Sequence, residues 1–132
     1  MGVTRYAIPV TTTAGGAATE STEQFLNGGD VVDIYYEPSG TPLDTGADIT
    51  VTIEGNDGIS RALVTKADIG TSKFTLAPRQ AVHAVADGSG LEYTTGEPVV
   101  DSISVVPSDK IQVVVANGGN ALSGTFYVTI RS

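Results

Sequence analysis

Apolar and polar positions alternate with period two over a series of short stretches, the mark of strands with one buried face. The clearest stretch is Lys110 to Ser132, KIQVVVANGGNALSGTFYVTIRS. Ile111 to Val115 is β-branched at four of five positions, and Thr125 to Ile130 mixes β-branched with aromatic residues. Phe126, Val128 and Ile130 fall on one face; Thr125, Tyr127, Thr129 and Arg131 fall on the other. Between the two runs, Asn117-Gly118-Gly119-Asn120 accepts positive φ at little cost, so the stretch predicts a closing β-hairpin.

Upstream, Val3 to Thr13 predicts a first strand. Ala14 to Ala17 turns it, and Ala18 to Gln24 returns antiparallel. That return is almost wholly polar, so residues 11–24 are expected to form an exposed arm or a sheet edge. Val31 to Glu37 follows, with Val32, Ile34 and Tyr36 on one face and Val31, Asp33 and Tyr35 on the other. Ile49, Val51 and Ile53 alternate with Thr50, Thr52 and Glu54. Asn56-Asp57-Gly58 turns into Ile59 to Lys66. Lys73 to Leu76 places Phe74 and Leu76 inward, and Pro78 stops the pairing. Ala84 to Pro98 is irregular, Val99 to Val106 is a strand, and Pro107-Ser108-Asp109 is a tight turn. This is an all-β pattern of eight or nine strands in 132 residues, the spacing of an antiparallel, jelly-roll-like β-sandwich forming a single domain, 1–132.

Composition narrows the function. There is no cysteine, hence no disulfide framework and no thiolate metal site. Fifteen acidic residues against seven scattered basic ones give a net charge of −8. No basic patch forms locally, so nucleic acid is not an expected partner. No apolar run reaches the ~20 residues of a membrane-spanning helix, and no membrane partner is expected. The start, MGVTRYAIPV, lacks the apolar core of a signal peptide.

One motif looks like chemistry. Leu43-Asp44-Thr45-Gly46-Ala47-Asp48 resembles the active-site signature of retroviral-type aspartic proteases. There, two such carboxylates from a homodimer share a proton and activate a water. On that alternative Asp44 is the catalytic residue. The motif's surroundings argue for a plain β-turn instead. Pro38 to Pro42 before it reads as a loop, Ile59 to Gly70 has no glycine-rich tip, and Val115-Ala116-Asn117-Gly118 leads into another loop. His83, the only histidine, has no nucleophile signature near it. Asp30 with Asp33, or Asp87 with Glu92, lacks EF-hand spacing, and no metal or cofactor is expected. The glycine pairs are turn glycines without a strand–Gly–helix context.

A set of segments together resembles the cement, or decoration, proteins of tailed-bacteriophage capsids. They are the threonine-rich Thr11 to Gly16, the strand Asp30 to Tyr36, the central Ala77-Pro78-Arg79-Gln80-Ala81-Val82-His83, and Val113 to Ala121 followed by Gly124-Thr125-Phe126. The resemblance implies a jelly-roll or sandwich domain without catalytic residues. It would be made in the bacterial host cytoplasm and would sit on the outer capsid surface of the virion. Its expected partners are the major capsid protein and itself, as a homo-oligomer with dimer favoured over trimer. Arg79, Gln80, His83, Asn117 and Asn120 are the expected partner-binding residues, with Arg79 expected to pair with an acidic group. Five tyrosines offer contact area at low entropic cost. A β-sandwich adhesion or carbohydrate-binding module is a further alternative, which a row of exposed aromatics at one loop end would favour.

Overall fold

The alternating segments form thirteen strands in the computed structural model, which describes residues 2–90, 92–94 and 96–132. They are β1 (Val3–Thr11), β2 (Ala18–Ser21), β3 (Gly29–Pro38), β4 (Asp48–Glu54), β5 (Ser60–Lys66), β6 (Phe74–Leu76), β7 (Arg79–Ala81), β8 (Glu92–Thr94), β9 (Glu97–Pro98), β10 (Val100–Ser102), β11 (Ser104–Val105), β12 (Lys110–Ala116) and β13 (Ser123–Arg131). All pairings are antiparallel. Eight of these strands carry a β-sandwich, in the sheet orders β1-β13-β3-β11 and β2-β12-β4-β5. The short strands β6 to β10 lie in an insertion between β5 and β11, and β6 also pairs with β3.

The pairing has a simple rule. β1 pairs with β13, β2 with β12, β3 with β11 and β4 with β5. The chain is thus one long hairpin, reversed at Asn56-Asp57-Gly58 and rolled up. The extra pairs β3–β13 and β4–β12 close the roll, which gives the double-sheet jelly-roll arrangement. At the reversal, Gly58 N–H donates to Gly55 O at 3.0 Å, Ile59 N–H donates to Asp57 Oδ1 at 3.0 Å, and Gly58 sits at φ 85°.

The core is the space between the sheets. Ile8 and Val10 of β1, Val31, Ile34 and Tyr36 of β3, and Phe126, Val128 and Ile130 of β13 supply one wall. Ile49, Val51 and Ile53 of β4 and Ile111, Val113 and Val115 of β12 supply the other. All are essentially fully buried, and each such side chain contributes about 1.5–3 kcal/mol relative to exposure.

Four expectations are corrected. Lys110 to Ser132 is not a hairpin: β12 lies in one sheet between β2 and β4, and β13 in the other between β1 and β3. Both strands bury one apolar face, and the sandwich satisfies both by setting them opposite each other across the core. Likewise β2 does not pair back onto β1; it is the edge strand of the second sheet, joined to β12. The single strand expected from Val99 to Val106 is split, because β10 pairs with β7 and β11 with β3. Within β3 it is Val31, not Val32, that shares the core face with Ile34 and Tyr36. A bulge opposite Thr129 and Ile130 inserts one residue and reverses the alternation there.

Of the tyrosines, Tyr6 and Tyr36 are core residues, and Tyr35 and Tyr127 are half-buried with ring centroids 6.3 Å apart. The side chain of Tyr93 lies outside the described residues, as do Leu91 and Thr95 of the stretch expected to be irregular. Burial pushes the Tyr36 hydroxyl above its ordinary pKa, so it stays protonated. It accepts the Leu43 N–H at 3.2 Å and ties the β3–β4 loop to the core.

Tyr36 also fills the space beside Gly124. A Cβ there would lie 2.5 Å from Tyr36 Cε1. Gly124→Ala is therefore expected to destabilise the protein by about 1–3 kcal/mol. Thr129 behaves differently, because its buried hydroxyl has no partner. Thr129→Val is expected to be neutral or stabilising by up to about 1 kcal/mol. Urea unfolding of the two variants measures both.

Candidate partner-binding surfaces

The predicted residues Asp44, Asn117 and Asn120 come together at one end of the sandwich, where the loops 12–17, 39–47 and 117–122 meet. The 117–122 loop is the hub. Thr12 N–H donates to Leu122 O at 2.9 Å, and the Thr12 hydroxyl donates to Gly119 O at 2.7 Å. Gly118 N–H donates to Gly16 O at 2.8 Å, and Asp44 N–H donates to Gly118 O at 3.0 Å. Asn117 and Ala121 hold positive φ, 58° and 54°, to make the crossing between sheets.

Asp44 opens a β-turn closed by Ala47 N–H to Asp44 O at 3.0 Å. Its side chain is exposed, and Oδ1 accepts the Thr45 N–H at 2.9 Å. This is the local bonding that Asp and Thr provide in turns. The more engaged carboxylate is one the sequence reading passed over. Asp48 Oδ1 accepts Asp68 N–H at 3.0 Å, and Oδ2 accepts Asn117 Nδ2 at 3.2 Å. Asn117 is thus bonded to its own chain, although its side chain, like that of Asn120, is exposed. An acidic residue directly before an alternating strand was the only sequence signal for Asp48.

Arg79, Gln80 and His83 fall elsewhere, in the insertion. Residues 79–81 pair with 100–102, Val82 N–H reaches Val99 O at 3.0 Å, and His83 bridges to Gly90. β8 and β9 pair beyond them. The result is a narrow ribbon with almost no buried side chain: from Arg79 to Gly90 only Val82 and Ala84 are half-buried. Arg79 does not pair with an acid among the described residues. Its Nη1 donates to Pro78 O at 2.7 Å, Val32 O at 3.3 Å and Val31 O at 3.4 Å. Those β3 carbonyls lie between the stretches that pair with β11 and β6, so Arg79 fills a gap in the sheet edge and anchors the ribbon. Gln80 Nε2 donates across the ribbon to Ser102 O at 3.0 Å.

No family model matches the chain, and no curated protein matches it. Among solved structures, it is similar to the crystal structure of FLHE, at 13% identity over the whole of both chains and a TM-score of 0.41. It is also similar to a chain of infectious bursal disease virus, Gx strain, at 21% identity over 98% of this chain and 32% of that one, with a TM-score of 0.37. An exo-β-1,3-galactanase from Phanerochaete chrysosporium gives 16% identity over 95% of this chain and 27% of that one, with a TM-score of 0.33. The chain spans about a third or less of the length of the last two.

Two further surfaces were not visible from sequence. At the end opposite Asp44, the exposed apolar side chains Val3, Phe25, Ile59 and Val106 surround the turns at Asn56–Gly58 and Val106–Asp109. Lys110 Nζ covers the Phe25 ring at 4.9 Å from its centroid. There the buried Asp109 accepts Val106 N–H at 3.0 Å and faces Arg61 at 3.9 Å. Along one side, β1 and the segment 22–24 that follows β2 flank a groove of about 340 Å³ lined by Arg5, Ala7, Pro9 and Glu23 among others. Among the described residues Phe25 is the only exposed aromatic, and no three His, Asp or Glu side chains converge as a metal ion would need.

The two aspartates make a direct comparison. Asp48→Ala removes two acceptor bonds and is expected to cost about 1–2 kcal/mol, whereas Asp44→Asn retains its Oδ1 and is expected to cost less than about 1 kcal/mol. Chemical unfolding ranks them. A larger loss from Asp44→Asn would mean that its carboxylate does more than shape a turn.

Proposed function

We propose that the chain is a non-enzymatic structural protein that binds the outside of a bacteriophage capsid and stabilises it. The observation that best supports this is where the molecule places its exposed features. The jelly-roll core is rigid and well filled, and what projects from it are loops and a ribbon that present backbone edges and side chains outward. Recognition elements carried on a rigid scaffold suit a binding protein. Jelly rolls occur in capsid and lectin domains, but the fold alone does not choose among functions. The segment resemblance to cement proteins makes that choice here. A sugar-binding module would be favoured by a row of exposed aromatics at a loop end, and Phe25 stands alone in this respect among the described residues.

The reading includes self-association. β13 and β12 are both central strands, so the long open edges of the sandwich itself are those of β1, β2 and β5, with the short β6 and β11 at the edge beside β3 among the described residues. A two-fold dimer through the β1/β2 side would let one assembly engage the shell through two copies at once. Two linked weak contacts gain roughly 10²–10⁴ in avidity when both engage.

Co-sedimentation of the purified protein with empty shells of the phage that encodes it tests the proposal. Saturable binding and a higher shell-disruption temperature are expected. A chain that leaves the shells unbound and unstabilised would contradict it. Analytical ultracentrifugation tests the dimer, and a protein that is monomeric both free and on the shell would remove that part.

A further inference from the structure

We propose that the ribbon formed by residues 79–90, 92–94 and 96–102 is the docking element of this protein, and that the surface it meets is a basic protein surface. This rests on the reading of the chain as a shell-binding protein and names the part that does the binding.

The argument starts from what the ribbon lacks. Two-stranded ribbons are marginally stable in water unless a hydrophobic face is covered. Here Val85 is fully exposed at 105% and Val100 is 52% exposed, while Arg79, Gln80, Ala81 and His83 are exposed around them. Among the described residues, the ribbon is fastened at its base, by Arg79 on the β3 carbonyls and by Pro78, which is buried. The outer edges of β7 and β10 pair with no third strand among the described residues, and such edges are used for strand addition.

Charge selects the partner. Arg79 is the only Lys or Arg in this segment and is occupied at the base; the remaining formal charges are Asp87, Glu92, Glu97 and Asp101, all acidic. Asp87 and Asp101 accept local N–H bonds, from Ser89 at 3.0 Å and Ser102 at 2.7 Å. The Ser89 N–H and hydroxyl hold the Asp87 carboxyl below its usual pKa, so it is ionised at neutral pH. A second copy of this chain is a poor occupant of this element, because it would set one acidic ribbon against another. A basic surface complements the ribbon and would speed encounter as well as select the partner.

The test compares three full-length proteins on empty shells: the unchanged chain, a ribbon variant with Asp87→Asn, Glu92→Gln, Glu97→Gln and Asp101→Asn, and a control with Glu37→Gln, Asp44→Asn, Asp57→Asn and Asp68→Asn, all exposed and away from the β1/β2 side. Both variants remove the same charge, and amide oxygens still accept the local bonds. The ribbon variant is expected to bind at least about tenfold more weakly with a shallower salt dependence, the control much as the unchanged chain does. Equal binding by all three, or an equal loss in both variants, overturns the ribbon proposal while the shell-binding reading stands. An unchanged chain that binds no shells overturns both. Should the ribbon variant lose self-association in sedimentation yet still bind shells, the occupant is a second copy and the proposal is wrong. A folded-state check by unfolding midpoint accompanies each variant, and Val85→Ser, at a fully exposed position that leaves charge and fold alone, provides an independent second loss of binding.

Discussion

Everything in this structure depends on the reverse pairing of the chain's two halves. The first four strands of the roll pair, in reverse order, with the last four. Each pair is antiparallel, so the chain ends meet: Val3 lies opposite Arg131, and Ser132 N–H donates to Gly2 O at 2.9 Å. Successive strands must then cross between sheets, and the crossings at 12–17, 39–47 and 117–122 gather at one end, where they are bonded to one another. The core forms because the alternating faces of β12 and β13 meet the faces of β4 and β3 across the sandwich as well as beside them. These contacts are long-range in sequence, which makes the fold one cooperative unit and, by its topology, a slow one to form.

The same rule explains which parts of the fold were legible in the sequence. Period-two alternation identifies a strand and its buried face, so Phe126, Val128 and Ile130, and Ile49, Val51 and Ile53, were placed correctly. Alternation carries no information about which edge is paired with which. Lys110 to Ser132 therefore read as a hairpin, although its strands belong to different sheets. Asn56-Asp57-Gly58 was the true hairpin turn, and there the local signal and the pairing coincide. Val31 was assigned to the outer face because a bulge is a property of two strands in register. Asp44 read as turn chemistry, and its bonds to Thr45 are of that kind. Asn117, chosen as an outward contact, is exposed and also bonds to Asp48, a partner nearly seventy residues away that no local pattern announces.

The insertion between β5 and β11 is where sequence and structure point the same way for a different reason. Pro78 and the irregular composition of 84–98 announced an interruption of the roll. The sequence suggested that residues 11–24 form an exposed arm or edge. Within that segment β2 is the edge strand of the second sheet and residues 12–17 are tied to the hub loop, while the described residues of the insertion from 79 to 102 also lie outside the core. Among its described residues almost no side chain is buried, so this segment adds little to the closed core. Anchored by Arg79 at its base, it stays outside as a recognition element on the proposed reading.

Hydrogen exchange of the amides, free and on empty shells, tests that account most directly. The account predicts new protection over the ribbon, residues 79–90 and 99–102, with β12 and β13 protected in both states. Protection confined to the opposite features, around Val3, Phe25, Ile59 and Val106, with the ribbon still exchanging freely, would contradict it.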